Sequence, residues 1–172
     1  MVWNPLPGFA RVFASQPWVM RGAGVVLPTE RLLRKLSGGR WGVLDLAGLP
    51  SIEITVVGRK SGQPRTTSLL CVPDGDGFYL VGSNWGKPEH PAWSANLRAS
   101  RTASARFDGS SAFPVSVVEI TGVERKRVWD QAVEFWPGYE MEFQRSGGRE
   151  FRIFRLDRIA LSEGIDCEIR CH

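Results

Sequence analysis

The segment Pro73-Asp74-Gly75-Asp76-Gly77 has the composition of a tight hairpin turn, and it narrows the folds open to this chain. Asp-Gly pairs supply the positive φ angles that short β-hairpin turns need. Residues 66–72 before the turn and 78–82 after it are rich in apolar and β-branched side chains. The sequence therefore predicts two antiparallel strands that meet at this turn.

The rest of residues 51–172 continues as short strands with helices between them. Strands are predicted at 52–57, 102–107, 113–120 and 151–156, and helices at 91–99, 124–136 and 139–145. In the middle helix the spacing i, i+3, i+4, i+7 predicts a buried face of Trp129, Ala132, Val133 and Trp136. Mostly antiparallel hairpins with interposed helices favour an α+β fold, a small and partly open β-barrel flanked by helices.

Residues 1–50 form an N-terminal segment with no clear strand. Helices are predicted at 9–14 and from Thr29, a suitable N-cap, to the glycine pair at 38–39. The second helix has leucines on one face and cations on the other, so it would either pack on the barrel or lie on an anionic membrane surface. No signal peptide follows Met1, and the apolar stretch 18–27 is too short to span a bilayer, which predicts a cytoplasmic protein.

Bulk properties set further limits. A chain of 172 residues is one domain by default, and its net charge of +4 favours anionic partners such as phosphates, nucleic acid or a membrane surface. No nucleic-acid-binding motif is recognised, so nucleic acid is not a predicted partner. The three cysteines argue against a disulfide framework: Cys71 is expected to be a small apolar strand residue, and Cys167, Cys171 and His172 lack a second ligand pair for a metal.

The loop between the first two strands carries three cations, Arg59, Lys60 and Arg65, and no acidic residue. Their mutual repulsion is relieved when an anion lies among them, and arginine can bind a phosphate or carboxylate through two hydrogen bonds. Ser61-Gly62 is the expected turn of this loop. From the residues alone two interpretations stay open, an anion-binding loop and a solvated basic hairpin.

The segment after the third strand combines small residues with a short helix. Ser83 lies at the strand end, where its hydroxyl could donate a hydrogen bond to a bound carbonyl. No acid or histidine has the spacing to make it a nucleophile. His90 is expected to cap or pack the helix. Trp93 and Asn96 lie on one side of that helix, where core packing or a capping hydrogen bond is the alternative to ligand binding.

Together these motifs resemble the deazaflavin-dependent nitroreductase family, which belongs to the split β-barrel flavin and deazaflavin oxidoreductases of actinobacteria. The resemblance rests on Gly-Arg-Lys-Ser-Gly-Gln-Pro-Arg at 58–65, Pro-Asp-Gly-Asp-Gly at 73–77, Ser-x-x-Gly at 83–86 and His-Pro-Ala-Trp-x-x-Asn-Leu-Arg at 90–98. These motifs stand in the family's order within residues 52–156. The resemblance implies a six-stranded split barrel that binds the 8-hydroxy-5-deazaflavin coenzyme F420.

The resemblance also implies roles for individual residues. The phosphate and polyglutamate tail of the coenzyme would meet Arg59, Lys60 and Arg65, and its ring system would lie between the second strand and the end of the third. The full set implied for the coenzyme is Arg59, Lys60, Ser61, Arg65, Thr66, Thr67, Ser68, Leu69, Leu70, Val81, Gly82, Ser83, Asn84, Ala92, Trp93, Ser94, Ala95 and Asn96. Trp85 and Tyr139 are implied for the substrate, and no metal is implied.

The implied reaction is hydride transfer from C5 of the reduced deazaflavin to an activated alkene, quinone or nitro compound. The protein's part would be positioning and stabilisation of the negative charge that develops on the acceptor. Ser83 and Tyr139 are the candidate catalytic hydrogen-bond donors. A second family tyrosine, shortly after Tyr139, is replaced here by Glu142 or Phe143.

The chain departs from the family pattern where it has Asn84 in place of lysine, Trp85 in place of glycine and Ser94 in place of tyrosine. Two other functions stay open beside the reductase. One is a non-catalytic protein that binds the coenzyme or a fatty acid on the same barrel, and the other is an FMN-dependent oxidase of the sister branch. The basic loop suits the longer anionic tail of F420 better than the single phosphate of FMN, so F420 is the predicted cofactor.

Overall fold

The computed structural model of the protein describes residues 50–107 and 110–160. Its strands are β1 (Ser51–Val57), β2 (Pro64–Leu70), β3 (Val72–Asp74), β4 (Gly77–Val81), β5 (Thr102–Phe107), β6 (Phe113–Glu119) and β7 (Ile153–Arg158). They form one sheet in the order β2-β1-β5-β6-β7-β4-β3, and all neighbouring pairs are antiparallel. The predicted antiparallel α+β fold is confirmed.

The sheet curls on itself because of one short connection. β2 and β3 stand at opposite ends of the strand order, yet only Cys71 separates them in the chain. Each residue advances the chain by less than about 4 Å, so the two edges of the sheet must lie close together. The sheet is therefore a partly closed barrel.

The same connection corrects the sequence prediction of one continuous strand at 66–72 and of six strands in all. The described residues contain seven strands, because the segment breaks at Cys71. The N–H of Cys71 donates to the carbonyl of Pro50 at 3.1 Å. At this point the chain leaves its pairing with β1 and begins its pairing with β4.

Helices flank the sheet at α1 (Ala92–Ala99), α2 (Gly122–Phe135) and α3 (Gly138–Arg145). The buried face of α2 is wider than predicted: Val128, Ala132 and Phe135 are the most buried, and the predicted Trp129, Val133 and Trp136 are half-buried beside them. Residues 50–107 and 110–160 contain no helix with the length and apolar character needed to cross a membrane.

Two apolar clusters hold the fold together. One is formed by alternate residues of the strands, with Ile54, Leu80 and Phe154 fully buried. The other packs α2 and α3 against the sheet and includes Val128 and Phe151. Burying a side chain of this size stabilises a fold by about 1.5–3 kcal/mol. The second cluster therefore fixes α3 firmly beside the end of β4.

Several predictions lie outside the described residues. These are the N-terminal helices at 9–14 and from Thr29, the division of the chain at residue 50, and the tail with Cys167, Cys171 and His172. Cys71 is free and fully buried. Burial raises the pKa of its thiol well above the usual range. Its predicted role as a small apolar residue is confirmed.

Candidate functional site

The cationic loop, residues 58–65, is closed by short backbone hydrogen bonds. The N–H of Gly58 donates to the carbonyl of Gln63 at 2.8 Å, and the N–H of Gly62 donates to the carbonyl of Gly58 at 2.8 Å. Gly62 has a φ of 66°, which glycine adopts without strain. The predicted turn is confirmed, and the three cationic side chains of the loop are exposed.

The loop is held by its backbone and not by its charges. Lys60 and Arg65 form no ion pair with any residue in the described part of the chain. The backbone N–H of Arg59 ties the loop to α1 by donating to Asn96 Oδ1 at 3.2 Å. The cationic side chains therefore remain available to an anion while the loop itself is fixed.

Arg152, just before β7, adds a cation that the sequence prediction missed. Its Nη1 donates to Ser94 Oγ at 3.3 Å, and its Nε is buried without a hydrogen-bond partner among the described residues. Burial, together with the positive charges of Arg98 and Arg59, lowers the pKa of Arg152, and Glu119 opposes this. Arg152 thus joins the loop and α1 in one positive patch, where a bound anion would relieve the repulsion.

The end of β4 packs directly against the start of α1. The N–H of Gly82 donates to the carbonyl of Arg152 at 2.8 Å. A Cβ at Gly82 would lie 3.6 Å from the Cβ of Ser94, so little space separates the two segments. Ser94 is buried and donates from Oγ to the carbonyl of Pro91 at 2.8 Å. Folding therefore places the predicted coenzyme segments 81–84 and 92–96 side by side.

The turn at Asn84–Gly86 follows β4 and has an unusual backbone. Asn84, Trp85 and Gly86 all have positive φ angles, of 54°, 58° and 68°. This conformation costs a non-glycine residue about 1–2 kcal/mol, so the surrounding structure must impose it. Asn84 Nδ2 donates to the carbonyl of Glu89 at 2.9 Å. On the other side, a Cβ at Gly86 would lie 2.9 Å from the carbonyl oxygen of Glu142 on α3.

Arg149 clamps this segment, and no signal in the sequence pointed to it. Its Nη2 donates to the carbonyl of Ser83 at 2.7 Å, and its Nη1 donates to the carbonyl of Gly82 at 3.2 Å. Its Nε donates to the carbonyl of Lys87 at 3.2 Å. Nη1 also donates to Nδ1 of His90 at 2.8 Å, so His90 contacts the clamp. One guanidinium therefore fixes the backbone on both sides of the turn.

Glu142 places a buried carboxyl group beside Ser83. It is 6% exposed, and its Oε2 has no hydrogen-bond partner in the described part of the protein. Burial raises the pKa of Glu142 to about 7. Hydrogen bonding from the Ser83 hydroxyl and the Trp85 N–H opposes the rise, as do the charges of Arg145 and Arg149. The group is therefore partly protonated at neutral pH.

Tyr139 lies one helical turn before Glu142 and is only 3% exposed, within the cluster between α3 and the sheet. Burial and the negative charge of Glu142 raise the pKa of Tyr139, so its phenol keeps its proton. Trp93, on α1, is half-buried and packs against Phe154 with ring centroids 6.0 Å apart. Both aromatic residues thus have a packing role in the fold.

With the geometry described, comparison with protein families identifies the chain. Residues 29–157 match the family described as F420H(2)-dependent quinone reductase. The chain belongs to this family. The match includes the whole segment, 52–156, whose motifs resemble the deazaflavin-dependent enzymes, so the predicted deazaflavin-dependent family is confirmed.

The F420H(2)-dependent quinone reductase family includes named relatives in mycobacteria. The F420H(2)-dependent quinone reductase Rv1261c of Mycobacterium tuberculosis (strain ATCC 25618 / H37Rv) is 37% identical to this chain over 84 residues. The matched region is 48% of this chain and 56% of that protein. The chain thus spans about half the length of the curated relatives that it matches.

Solved structures support the fold of this quinone reductase family member. An F420-H2 dependent reductase, FDR-A, superposes with a TM-score of 0.55 and 31% identity, over 63% of this chain and 94% of that chain. A structure described as a domain-swapped dimer superposes with a TM-score of 0.57 and 28% identity, over 80% of this chain and 99% of that chain. The split-barrel architecture predicted from the sequence is confirmed.

The residues that the sequence predicts for the coenzyme fall on neighbouring parts of the family fold. Arg59, Lys60, Ser61, Arg65 and Thr66 are exposed on the loop and the start of β2, and Thr67, Ser68, Leu69 and Leu70 are half-buried along β2. Val81, Gly82 and Ser83 are buried at the end of β4, and Asn84 and Trp85 are half-buried in the turn. Ala92, Trp93, Ser94, Ala95 and Asn96 lie on α1.

Proposed function

We propose that this protein is an oxidoreductase that binds coenzyme F420 and transfers a hydride from its reduced form to a quinone-type acceptor. Membership of the F420H(2)-dependent quinone reductase family supports this proposal, as do the names of the mycobacterial relatives. The observation that carries it is the positive patch where the fixed cationic loop meets α1 and Arg152. An anionic coenzyme tail would offset the positive charge of the loop and of Arg152.

The positive patch would hold the anionic end of the coenzyme. Arg59 and Arg65 would bind phosphate or carboxylate groups through paired hydrogen bonds, and Lys60 would add a point charge. The unpartnered Nε of Arg152 offers one more buried donor. Segments 66–70, 81–84 and 92–96 would line the ring system. When bound, the reduced coenzyme supplies the hydride, and the protein's residues orient the acceptor and exclude water.

The acceptor would lie at the Ser83 end of the site. The hydroxyl of Ser83 would donate a hydrogen bond to the acceptor oxygen, where negative charge develops during hydride transfer. Trp85, half-buried in the strained turn, would shape the entrance. Tyr139 stays a predicted substrate contact. A cytoplasmic location, with peripheral membrane contact through residues 1–50, also stays a prediction.

The cofactor is tested by titrating the purified protein with oxidised F420 and, in parallel, with FMN, while tryptophan fluorescence is followed. Trp85 and Trp93 are expected to report binding because both belong to the predicted site. F420 is expected to quench the fluorescence and to saturate in the micromolar range. FMN binding with no response to F420 would instead indicate an FMN-dependent oxidase.

The residues of the patch are tested with charge variants. Lys60→Ala combined with Arg65→Ala is expected to weaken F420 binding by about 100- to 10,000-fold, since each of the two charged hydrogen bonds contributes about 1.5–3 kcal/mol. Lys126→Ala combined with Arg127→Ala removes the same charge from exposed positions on α2 and serves as the control. Equal loss in both pairs would mean that net charge, and not this loop, attracts the coenzyme.

Turnover separates the reductase from a binding protein. Reduced F420 is mixed with catalytic amounts of the protein and a soluble quinone such as menadione, and oxidation of the coenzyme is followed by its absorbance. Oxidation that requires both protein and quinone is expected. Tight F420 binding without oxidation by any quinone, enone or nitro compound would reject the reductase in favour of a coenzyme-binding protein. No binding of either cofactor would favour the fatty-acid-binding alternative.

A further inference from the structure

Glu142 stands out because a carboxyl group is seldom buried without full hydrogen bonding. It is 6% exposed, and its Oε2 has no partner among the described residues. Leaving one oxygen of an ionised carboxylate unsatisfied in a buried site costs several kcal/mol, whereas a protonated carboxyl group carries no net charge there. Burial therefore shifts the balance toward the protonated acid, directly beside Ser83.

The surroundings of Glu142 place its carboxyl group close to the hydroxyl of Ser83. The Ser83 hydroxyl and the Trp85 N–H approach the carboxyl from the end of β4 and the left-handed turn. Tyr139 faces it from the same helix, and its phenol keeps its proton because burial raises its pKa. The charged neighbours are Arg145 and Arg149, which favour the ionised form but do not outweigh burial.

We propose that Glu142 delivers a proton through the Ser83 hydroxyl to the oxygen of the acceptor. The inference rests on the proposed function, because the hydride comes from reduced F420. Ser83 would be the catalytic residue that touches the acceptor. Glu142 would be a positioning residue that acts through Ser83. It would supply the proton that the acceptor still needs after it has received the hydride.

The step balances with a quinone as the acceptor. A hydride brings two electrons and one proton, and it leaves the hydroquinone as a monoanion that needs one more proton. The O–H bond of Ser83 breaks as an O–H bond forms on the hydroquinone oxygen. At the same time the carboxyl O–H of Glu142 breaks and restores the serine hydroxyl. The resulting carboxylate takes a proton from water before the next turnover.

The left-handed turn positions the groups of this proton relay, which runs from Glu142 through Ser83 to the acceptor. Asn84, Trp85 and Gly86 hold positive φ angles, which directs the Trp85 N–H back toward α3. Arg149 fixes the carbonyls of Gly82 and Ser83, so the position of the serine is set by its own backbone. Backbone strain of this kind persists where the surrounding structure imposes it, and it often occurs at functional sites.

The first experiment measures the protonation of Glu142 in the coenzyme-free protein. The protein is labelled with glutamate carrying carbon-13 in the side-chain carboxyl, and its carbon NMR spectrum is recorded across pH. Glu142→Gln assigns the resonance by removing it. A carboxyl that titrates near pH 7 supports the inference. A Glu142 resonance that titrates in the ordinary range of a glutamate, near pH 4.5, would overturn it.

The second experiment measures how kcat depends on pH with reduced F420 and a soluble quinone. Wild-type kcat is expected to fall about tenfold per pH unit above the pKa of Glu142, because the acid loses its proton. Glu142→Gln keeps the shape and the hydrogen bonding of the side chain but has no acidic proton. Its kcat is expected to be about 100-fold lower and to lose this pH dependence, with KM for quinone nearly unchanged.

Two comparisons keep the test specific to the relay. Glu140→Gln, on the exposed side of α3, makes the same chemical change and is expected to keep the wild-type profile. Ser83→Ala is expected to lose the same pH dependence as Glu142→Gln, since the proton has no path. A Glu142→Gln profile that matches the wild type would overturn the inference and leave the proposed reductase intact. A wild-type protein that binds F420 but reduces no quinone would overturn both.

Discussion

The cationic loop and the buried junction are built in opposite ways. The buried junction comprises residues 82–86 with Glu142 and Arg149. The loop exposes its charged side chains and is held by short backbone hydrogen bonds. The junction buries Ser83 and Glu142, and the half-buried Arg149 donates hydrogen bonds to the carbonyls of Gly82 and Ser83. Charge is left accessible in the first region and enclosed in the second.

This difference suits the proposed function, in which the exposed cations would hold the anionic tail of F420 and the buried junction would face its ring system and the acceptor. Exposed cations attract an anionic tail and cost little in the free protein, because water solvates them. A buried carboxyl group and a strained turn cost stability, so the fold must compensate for them through packing and charged hydrogen bonds. The predictions below compare the two regions, beginning with the largest expected change.

Removing the Arg149 guanidinium is expected to have the largest effect on the free energy of unfolding. Arg149→Ala leaves the carbonyls of Gly82, Ser83 and Lys87 without their donor, and we expect the free energy of unfolding to fall by about 3 kcal/mol. Chemical denaturation measures the change. Arg149→Lys keeps the charge but cannot bridge several carbonyls, so it is expected to recover less than half of the loss. A loss below about 0.5 kcal/mol would show that the clamp does not stabilise the junction.

A pair of glycine variants compares the two regions directly. Gly62 and Gly86 have similar φ angles of 66° and 68°. A Cβ at Gly62 would meet nothing within 4 Å, whereas one at Gly86 would lie 2.9 Å from both the Glu142 carbonyl and the Arg145 Cβ. Gly62→Ala is therefore expected to cost about 1 kcal/mol from backbone strain, and Gly86→Ala about 2–3 kcal/mol. Equal losses in thermal or denaturant unfolding would contradict the close packing of the turn on α3.

The stability of the junction is expected to depend on pH through Glu142. Its pKa in the folded protein is raised to about 7, so its contribution to stability is fully present below the unfolded pKa and is lost as the pH rises through 7. Glu142→Gln removes this loss. The free energy of unfolding of the variant, relative to that of the wild type, is expected to rise by about 2 kcal/mol from pH 5 to pH 8. Denaturant unfolding at both pH values measures it, and Glu140→Gln, which is exposed, should show no such gain.

The smallest effect on stability is expected in the cationic loop. Lys60→Ala combined with Arg65→Ala removes two exposed charges that form no ion pair within the described residues. The free energy of unfolding is expected to change by less than about 0.5 kcal/mol, although this variant is expected to bind F420 much more weakly. A large loss of stability would mean that the loop cations support the fold, and the contrast with the junction would disappear.

Local signals in the sequence predicted the regions whose structure depends on neighbouring residues. The Ser61-Gly62 turn and the Asp-Gly hairpin follow from backbone preferences that act within a few residues. The strands, the helices and the α+β class were predicted for the same reason. The order of short motifs then indicated the deazaflavin-dependent family, which the family match confirms.

The break at Cys71 and the roles of Arg149 and Arg152 could not be predicted in this way. Arg149 binds carbonyls more than 60 residues earlier in the chain, and in the sequence it looks like any solvated cation. The strand at 66–72 looked continuous because both halves have strand-forming residues. Only the closing of the sheet decides that the second half must pair with β4.

The sequence by itself determined the fold class, the hairpin turns, the cationic loop and the family, because local backbone preferences and ordered motifs carry that information. The tertiary structure decided which charges are buried. Glu142, the exposed Arg145 and the half-buried Arg149 have ordinary side chains, and nothing next to Glu142 in the sequence indicates that its pKa is raised. Its pKa is raised because α3 packs against the end of β4 and removes the carboxyl from water, and that contact joins residues far apart in the chain.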